Sequence, residues 1–275
     1  MVADAHWRDI PTHERMVIPG LARHVGAVCV LIVLAAAWWF ASAGGVVSAF
    51  LLPLPETVLA TGWELISDGT LGAHVAVSIG RILAGYGLAV ALALPLAFLF
   101  GVSPSARRAF EPVLEFLRQV PPLAMMPLLI LWLGIGEAQK IGIIVLACFF
   151  PIFLGALGGI AQCDPKLVEV GRVCGLAQRD ILRRIVLPAA LPSIVIGLRI
   201  ALGQGWRALV GAELVASAAG LGYMIVDAEQ LARTDIVIVG IFVIGTLGLL
   251  ADFGVRRLIA RTAPWLRQRT EITHA

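Results

Sequence analysis

Charge is scarce in this chain. Of its 275 residues only 14% are Asp, Glu, Lys or Arg, against roughly 25% in an ordinary soluble domain. That shortage, with 59% hydrophobic residues, excludes a disordered chain, a collagen-like fibre and a disulfide scaffold, and argues against a soluble enzyme. Lysine is nearly missing: Lys140 and Lys166 stand beside nineteen arginines. A phosphate-cradling loop needs Gly-Lys followed by Ser or Thr. Lys140 lies between Gln139 and Ile141, and Lys166 between Pro165 and Leu167, so neither serves and ATP hydrolysis is not expected here. The cysteines are few and unpaired in pattern. Cys29, Cys148, Cys163 and Cys174 contain no C-x-x-C, and His6, His13, His24, His74 and His274 are dispersed. They read as small apolar fillers; no metal site and no catalytic set is expected.

What the chain has is long apolar runs. Its mean hydropathy is +0.92, and at about 20 residues per helical crossing five to seven helices would use it up. The expected fold is an all-α membrane protein with six transmembrane helices. Windows free of charge place the spans at about 24–43, 80–102, 119–136, 140–162, 189–212 and 236–254 within a transmembrane domain over 24–255. A cytoplasmic tail over 1–23 precedes it and another over 256–275 follows. The first apolar run is longer and later than a signal core, so an uncleaved helix is expected there.

Basic residues alternate between loops. The N-terminal tail has Arg8, Arg15 and Arg23, whereas residues 44–80 have none. Residues 103–118 have Arg107, Arg108 and Arg118, the turn at 136–140 has one Lys, and residues 164–188 hold five basic groups. The loop before the sixth span sets Arg233 against three acids, and the C-terminal tail is again Arg-rich. By the positive-inside rule both termini are cytoplasmic. Two rows of small residues at four-residue spacing, Ala89-Ala93-Ala97-Gly101 and Gly197-Ala201-Gly205, predict close helix packing.

The segment 163–188 is long for a loop in such a chain. Asp164 can cap a short helix with Pro165 at its first position; Gly175 breaks it, and a second helix from Ala177 ends at Pro188. Ile181, Leu182 and Ile185 fall on one side of that second helix, Arg179, Arg183 and Arg184 toward another. Periodicity alone leaves two readings open, a docking surface for another protein or a helix pair resting on anionic lipid.

This stretch resembles the EAA loop of ABC importer permeases. Glu169-Val170-Gly171, then Gly175, then Ile185-Val186-Leu187-Pro188 keep that motif's spacing, with Val170 and Gly171 in place of two alanines. Leu117–Gly136 and the run Gly220-Leu-Gly-Tyr-Met-Ile also resemble the family, most of all its nitrate/sulfonate/taurine-type members, and the likeness covers roughly residues 50–260. The resemblance implies the permease subunit of a type I importer in the bacterial inner membrane. Its implied partners are a second copy of the permease, two ATP-binding subunits that bind ATP and Mg, a periplasmic or lipid-anchored solute-binding protein, and membrane lipid; no nucleic acid is implied. The ATPase-coupling loop would comprise Glu169, Val170, Gly171, Gly175, Ile185, Leu187 and Pro188. Glu169 would orient it, Gly175 form its turn and Pro188 set the start of the fifth span. The solute implied is an organic sulfonate, taurine or a nitrate-like anion.

Ionisable groups inside spans are costly and mark function. Arg81, Gln204, Arg207 and Glu213 are candidates for a translocation pathway suited to an anion. A structural alternative pairs Arg207 with Glu213 or carries Arg81 to the interface. Pro121, Pro122 and Pro127 are expected to interrupt the third span, beside a cavity or as a kink. A competing function, a stand-alone ion-coupled secondary transporter, would need Asp or Glu within the membrane, and the spans hold none away from their ends.

Overall fold

The computed structural model describes residues 20–45, 47–215 and 217–262, so Arg8, Arg15, Arg267 and Arg269 of the two tails lie outside the described residues. The chain divides into two compact units, Met1–Thr57 and Val58–Ala275, and every regular element among the described residues is helical.

In the first unit α1 (Gly20–Ala43) carries the apolar stretch Val28–Ala43. Ile32, Val33, Leu34 and Phe40 are all more than 60% exposed, as on a surface that faces hydrocarbon. The chain then turns back on the helix: Trp38 Nε1 donates to the Pro53 carbonyl (3.0 Å) and Ser42 Oγ to that of Leu52 (2.8 Å).

The remaining elements run α2 (Pro55–Ser67), α3 (Thr70–Val102), α4 (Pro104–Gln119), a 3-10 turn (Pro122–Met125), α5 (Met126–Leu133) and α6 (Glu137–Ala161). They continue with α7 (Pro165–Val173), α8 (Gln178–Ile181), a π-helical turn (Leu182–Val186), α9 (Leu187–Val215), α10 (Leu221–Gln230) and α11 (Thr234–Thr262). Among the described residues, four stretches are long and apolar enough to cross a bilayer: α3, α6, Gln178–Val215 and Thr234–Arg261. The pair formed by α4 and the 3-10/α5 stretch, bent by 92°, is a further candidate.

The expected third span, 119–136, is not one helix. Ser103 caps α4 by accepting from Ala106 N–H, and α4 ends at Gln119 before extended Val120 and Pro121. A residue before proline is pushed out of the α region, and two consecutive prolines give the break. The 3-10 turn and α5 together rise only about 20 Å, short of the roughly 30 Å hydrocarbon core. Elsewhere the helices outrun the windows: α3 starts ten residues before the expected 80, because His74 and Ser78 sit inside it rather than in a loop. Pro95 lies within α3 without ending it.

The central helix is α6, packed against both α3 and α9. The two rows of small residues make that possible. Ala89, Ala93, Ala97 and Ala201 are wholly buried. A Cβ on Gly197 would meet the Pro151 carbonyl oxygen at 2.6 Å, and one on Gly155 would meet Gly197 Cα at 2.9 Å. Backbone touches backbone at this crossing, and packing of that kind drives helix association in lipid. Ile144, Ile152, Phe153 and Ala156 of α6 fill the seam. Cys148 is a buried filler there, its thiol donating to the Ala201 carbonyl at 3.3 Å. Tyr86 Oη donates to Leu198 O (3.0 Å) and Trp206 Nε1 to Ile244 O (3.2 Å), joining α3 and α11 to α9. By contrast only 11% of the apolar stretch of α11 is buried.

Candidate functional site

Three groups of residues carry chemistry, and the first is the segment between α6 and α9. Asp164 accepts from Lys166 N–H at 2.9 Å and Pro165 occupies the first position of α7, as the sequence leads one to expect. The helix ends in a Schellman motif: Leu176 N–H reaches Gly171 O and Gly175 N–H reaches Arg172 O, both at 3.0 Å. Gly175 sits at φ +72°, the left-handed conformation in which a Cβ is unwelcome. Ile181 is buried and Leu182 and Ile185 half-buried, while Arg179, Arg183 and Arg184 are exposed.

Gly171 lies against that apolar side, and a methyl there would meet Ile185 Cδ1 at 2.8 Å. A glycine at 171 therefore lets α7 lie close against the π turn. Val170 is 58% exposed, and with Leu167 (51%) and Val173 (89%) it forms an apolar ridge along α7. Glu169 is exposed beside it and hydrogen-bonds nothing among the described residues. Leu187 is half-buried and Pro188 exposed at the start of α9. Cys163, just before α7, has its thiol pushed up by burial, with the charge of Asp164 adding to the shift.

The second group lies at the opposite ends of the long helices. Arg81 donates to Glu137 through Nε and Nη2, both at 2.6 Å, and through Nη1 to Glu213 at 2.7 Å. The first pair is bidentate, the strongest arginine–carboxylate arrangement. Arg81 is 5% and Glu213 1% exposed. Ser78 donates to both oxygens of Glu213 (2.8 and 2.9 Å) and accepts Leu221 N–H (2.9 Å). Gly222 N–H adds a bond to Glu213 (2.9 Å), Gly220 N–H donates to His74 Nδ1 (3.1 Å), and Lys140 Nζ reaches Glu137 (3.0 Å). Gly220 stands at φ +116°, and a Cβ there would strike Glu213 and Arg81. The network ties α3, α6, α9 and the start of α10 together.

Arg81 and Glu213, named separately from sequence, are thus each other's partners. Of the structural alternatives, Arg207 does not pair with Glu213: it is exposed and forms no ion pair among the described residues. Glu137, Lys140, Ser78, His74 and the Gly220-Leu-Gly turn were missed by sequence reasoning, which treats residues beside loops as loop residues. The cluster of charges at 137 and 140 was the available signal.

The third feature is a cavity of 880 Å³, within the size of ligand pockets. Its walls come from α3, α4, the 3-10 turn, α6 and α9, and are mostly apolar; Gln204 lines it along with Gln162, Ser193 and Arg118. Arg207 continues the α9 row Ile200–Gln204 one turn further on but does not line the cavity.

Residues 85–264 match the family described as binding-protein-dependent transport system inner membrane component. The chain belongs to that family. It is 39% identical over 240 residues to the taurine transport system permease protein TauC of Escherichia coli K12, covering 86% of this chain and 87% of that one. It is 42% identical over 233 residues to a putative aliphatic sulfonates transport permease protein SsuC of Bacillus subtilis 168, covering 85% and 84%. The bicarbonate transport system permease protein CmpB of a Synechocystis strain is 35% identical over 68% of this chain and 67% of its own. In fold, a chain from inward facing conformations of the MetNI methionine ABC transporter aligns with TM-score 0.60 at 18% identity, over 67% of this permease and 92% of that chain. The permease is therefore a multi-pass membrane transport subunit of the ABC importer class.

Proposed function

We propose that this permease works as a dimer, translocating a small solute, an organic sulfonate, taurine or a nitrate-like anion, delivered by a periplasmic or lipid-anchored solute-binding protein. Six spans place both termini in the cytoplasm, with α1 as the first and the bent α4–α5 stretch as the third. The segment 163–188 then faces the cytoplasm, and the Arg81–Glu213 network lies at the outer face.

The observation that carries the reading is the ridge on α7. Leu167, Val170 and Val173 expose apolar surface beside Glu169 and Arg172, on a segment held rigid by the Asp164 cap and the Gly175 turn. Such a surface suits a protein cleft rather than water. Two ATPase subunits, binding ATP and Mg, would seat this ridge. Since α8, the π turn and α9 run on as one apolar stretch, Gln178–Val215, motion of the ridge would be passed directly into α9 and the cavity wall. π turns inside helices occur frequently at functional sites. Gln204 and Arg207 are the pathway groups this arrangement favours, and Arg81 and Glu213 hold the outer ends of the helices in register.

The test is uptake of radiolabelled ethanesulfonate and taurine into proteoliposomes holding the permease with its ATPase and binding protein. ATP-dependent accumulation that disappears in Glu169→Lys supports the reading. Accumulation without ATP by the permease alone would replace it with a secondary transporter.

A further inference from the structure

We propose that Arg118 is the cation that receives the anionic solute at the cytoplasmic mouth of the cavity between α6 and α9. The inference rests on the importer reading and adds a residue that sequence did not single out as part of the pathway. Of the described side chains that line the 880 Å³ cavity, Arg118 alone is charged. The rest are apolar or small apart from Gln162, Ser193 and Gln204.

Position gives the direction. The cavity follows α6 from Val145 to Gly158 and Gln162, and α9 from Ser193 to Gln204, the halves of both helices that lead into the 163–188 segment. Arg118 sits in the last turn of α4, immediately before the proline break that turns the chain into the 3-10 stretch. Arg207 lies beyond Gln204 toward the outer end. An anion moving inward would leave one arginine and meet the other, with Gln204 between them.

Availability follows from the weakness of its tie. Arg118 approaches Glu115 only at 3.8 Å, and the two side chains are 43% and 69% exposed. Exposed pairs of this kind hold little energy, so the guanidinium can exchange Glu115 for a solute. Apolar walls sharpen the effect, because a cleft with low-dielectric walls focuses the field of one charge. A guanidinium also matches the planar or trigonal oxygens of a sulfonate, nitrate or carboxylate with paired donors.

The experiment is ethanesulfonate uptake by the complete complex carrying Arg118→Gln or Arg118→Lys, with ATP hydrolysis followed in the same vesicles. Arg118→Gln is expected to lower initial uptake about tenfold, as loss of a charge-assisted hydrogen bond does, with Arg118→Lys keeping most of the rate and ATP hydrolysis unchanged in both. In an Arg118→Cys permease with Cys29, Cys163 and Cys174 changed to Ser, a trimethylammonium thiosulfonate should restore uptake. The sulfonate-bearing reagent should not. Equal ethanesulfonate uptake by wild type and Arg118→Gln overturns the assignment, as does a loss shared by Gln and Lys that also lowers ATP hydrolysis, which marks a structural role. A wild-type complex with no ATP-dependent uptake overturns the importer reading itself.

Discussion

Arg81 of α3 donates to Glu213 of α9 at 2.7 Å, and both side chains are nearly or wholly out of reach of solvent. Neither charge is affordable there without the other. Removing one member of a buried pair typically costs about 3–5 kcal/mol, because the survivor is left uncompensated. Glu213→Leu is expected to lower the thermal stability of the detergent-purified permease severely, and Arg81→Leu to a similar degree, since it strands buried Glu213 while exposed Glu137 keeps Lys140. Lys140→Met should be milder, since Glu137 keeps its two bonds from Arg81.

The crossing of α6 and α9 makes a graded prediction. At Gly197 a new side chain meets backbone at Pro151 and Gly155, which cannot yield, whereas Gly80, Gly87 and Gly203 face open space. Gly197→Leu should prevent recovery of a monodisperse permease, and Gly80→Leu and Gly87→Leu should leave yield and melting near wild type. Size-exclusion profiles of the four proteins check this.

On the α7 ridge, fold and coupling should separate. Val173→Asp and Glu169→Lys change exposed side chains with no bonded partner among the described residues, so melting should move little while ATP-driven uptake falls by about tenfold or more, the size of a lost anchor in an interface. Gly175→Val instead forces a β-branched residue to φ +72° and should damage both. A Val173→Asp permease with normal uptake would remove the ridge from the coupling surface.

Cysteine chemistry reports topology. A membrane-impermeant maleimide should label Cys174, which is exposed, only from the cytoplasmic side. Cys163 should react more slowly at neutral pH, because burial raises its pKa and leaves less thiolate. Raising the pH should narrow the gap between the two. Cys148, buried against Ala201, should react only after unfolding. Labelling of Cys174 from outside would reverse the orientation.

Much of this was legible from residue order. Charge-free windows located the long helices, and Asp164, Pro165 and Gly175 marked the ends of α7 by local rules that need no tertiary context. The small-residue rows named the packing faces before any partner was known. What escaped was whatever depends on contacts distant in sequence. Arg81 and Glu213 are 132 residues apart, so a search for local partners could not join them. For the same reason α3 reaches further back than its charge-free window: His74 and Ser78 look like loop residues until the Gly220-Leu-Gly turn is seen to bond them. The role of Gly171 likewise needed Ile185 in place to be understood.

The most direct test is a gentle-detergent affinity purification of the permease from its native membrane, with bound proteins identified by mass spectrometry. An ATPase subunit with a phosphate-binding loop, lost on Val173→Asp, is the expected companion. Recovery of the permease alone, together with solute flux after reconstitution without ATP, would contradict the account.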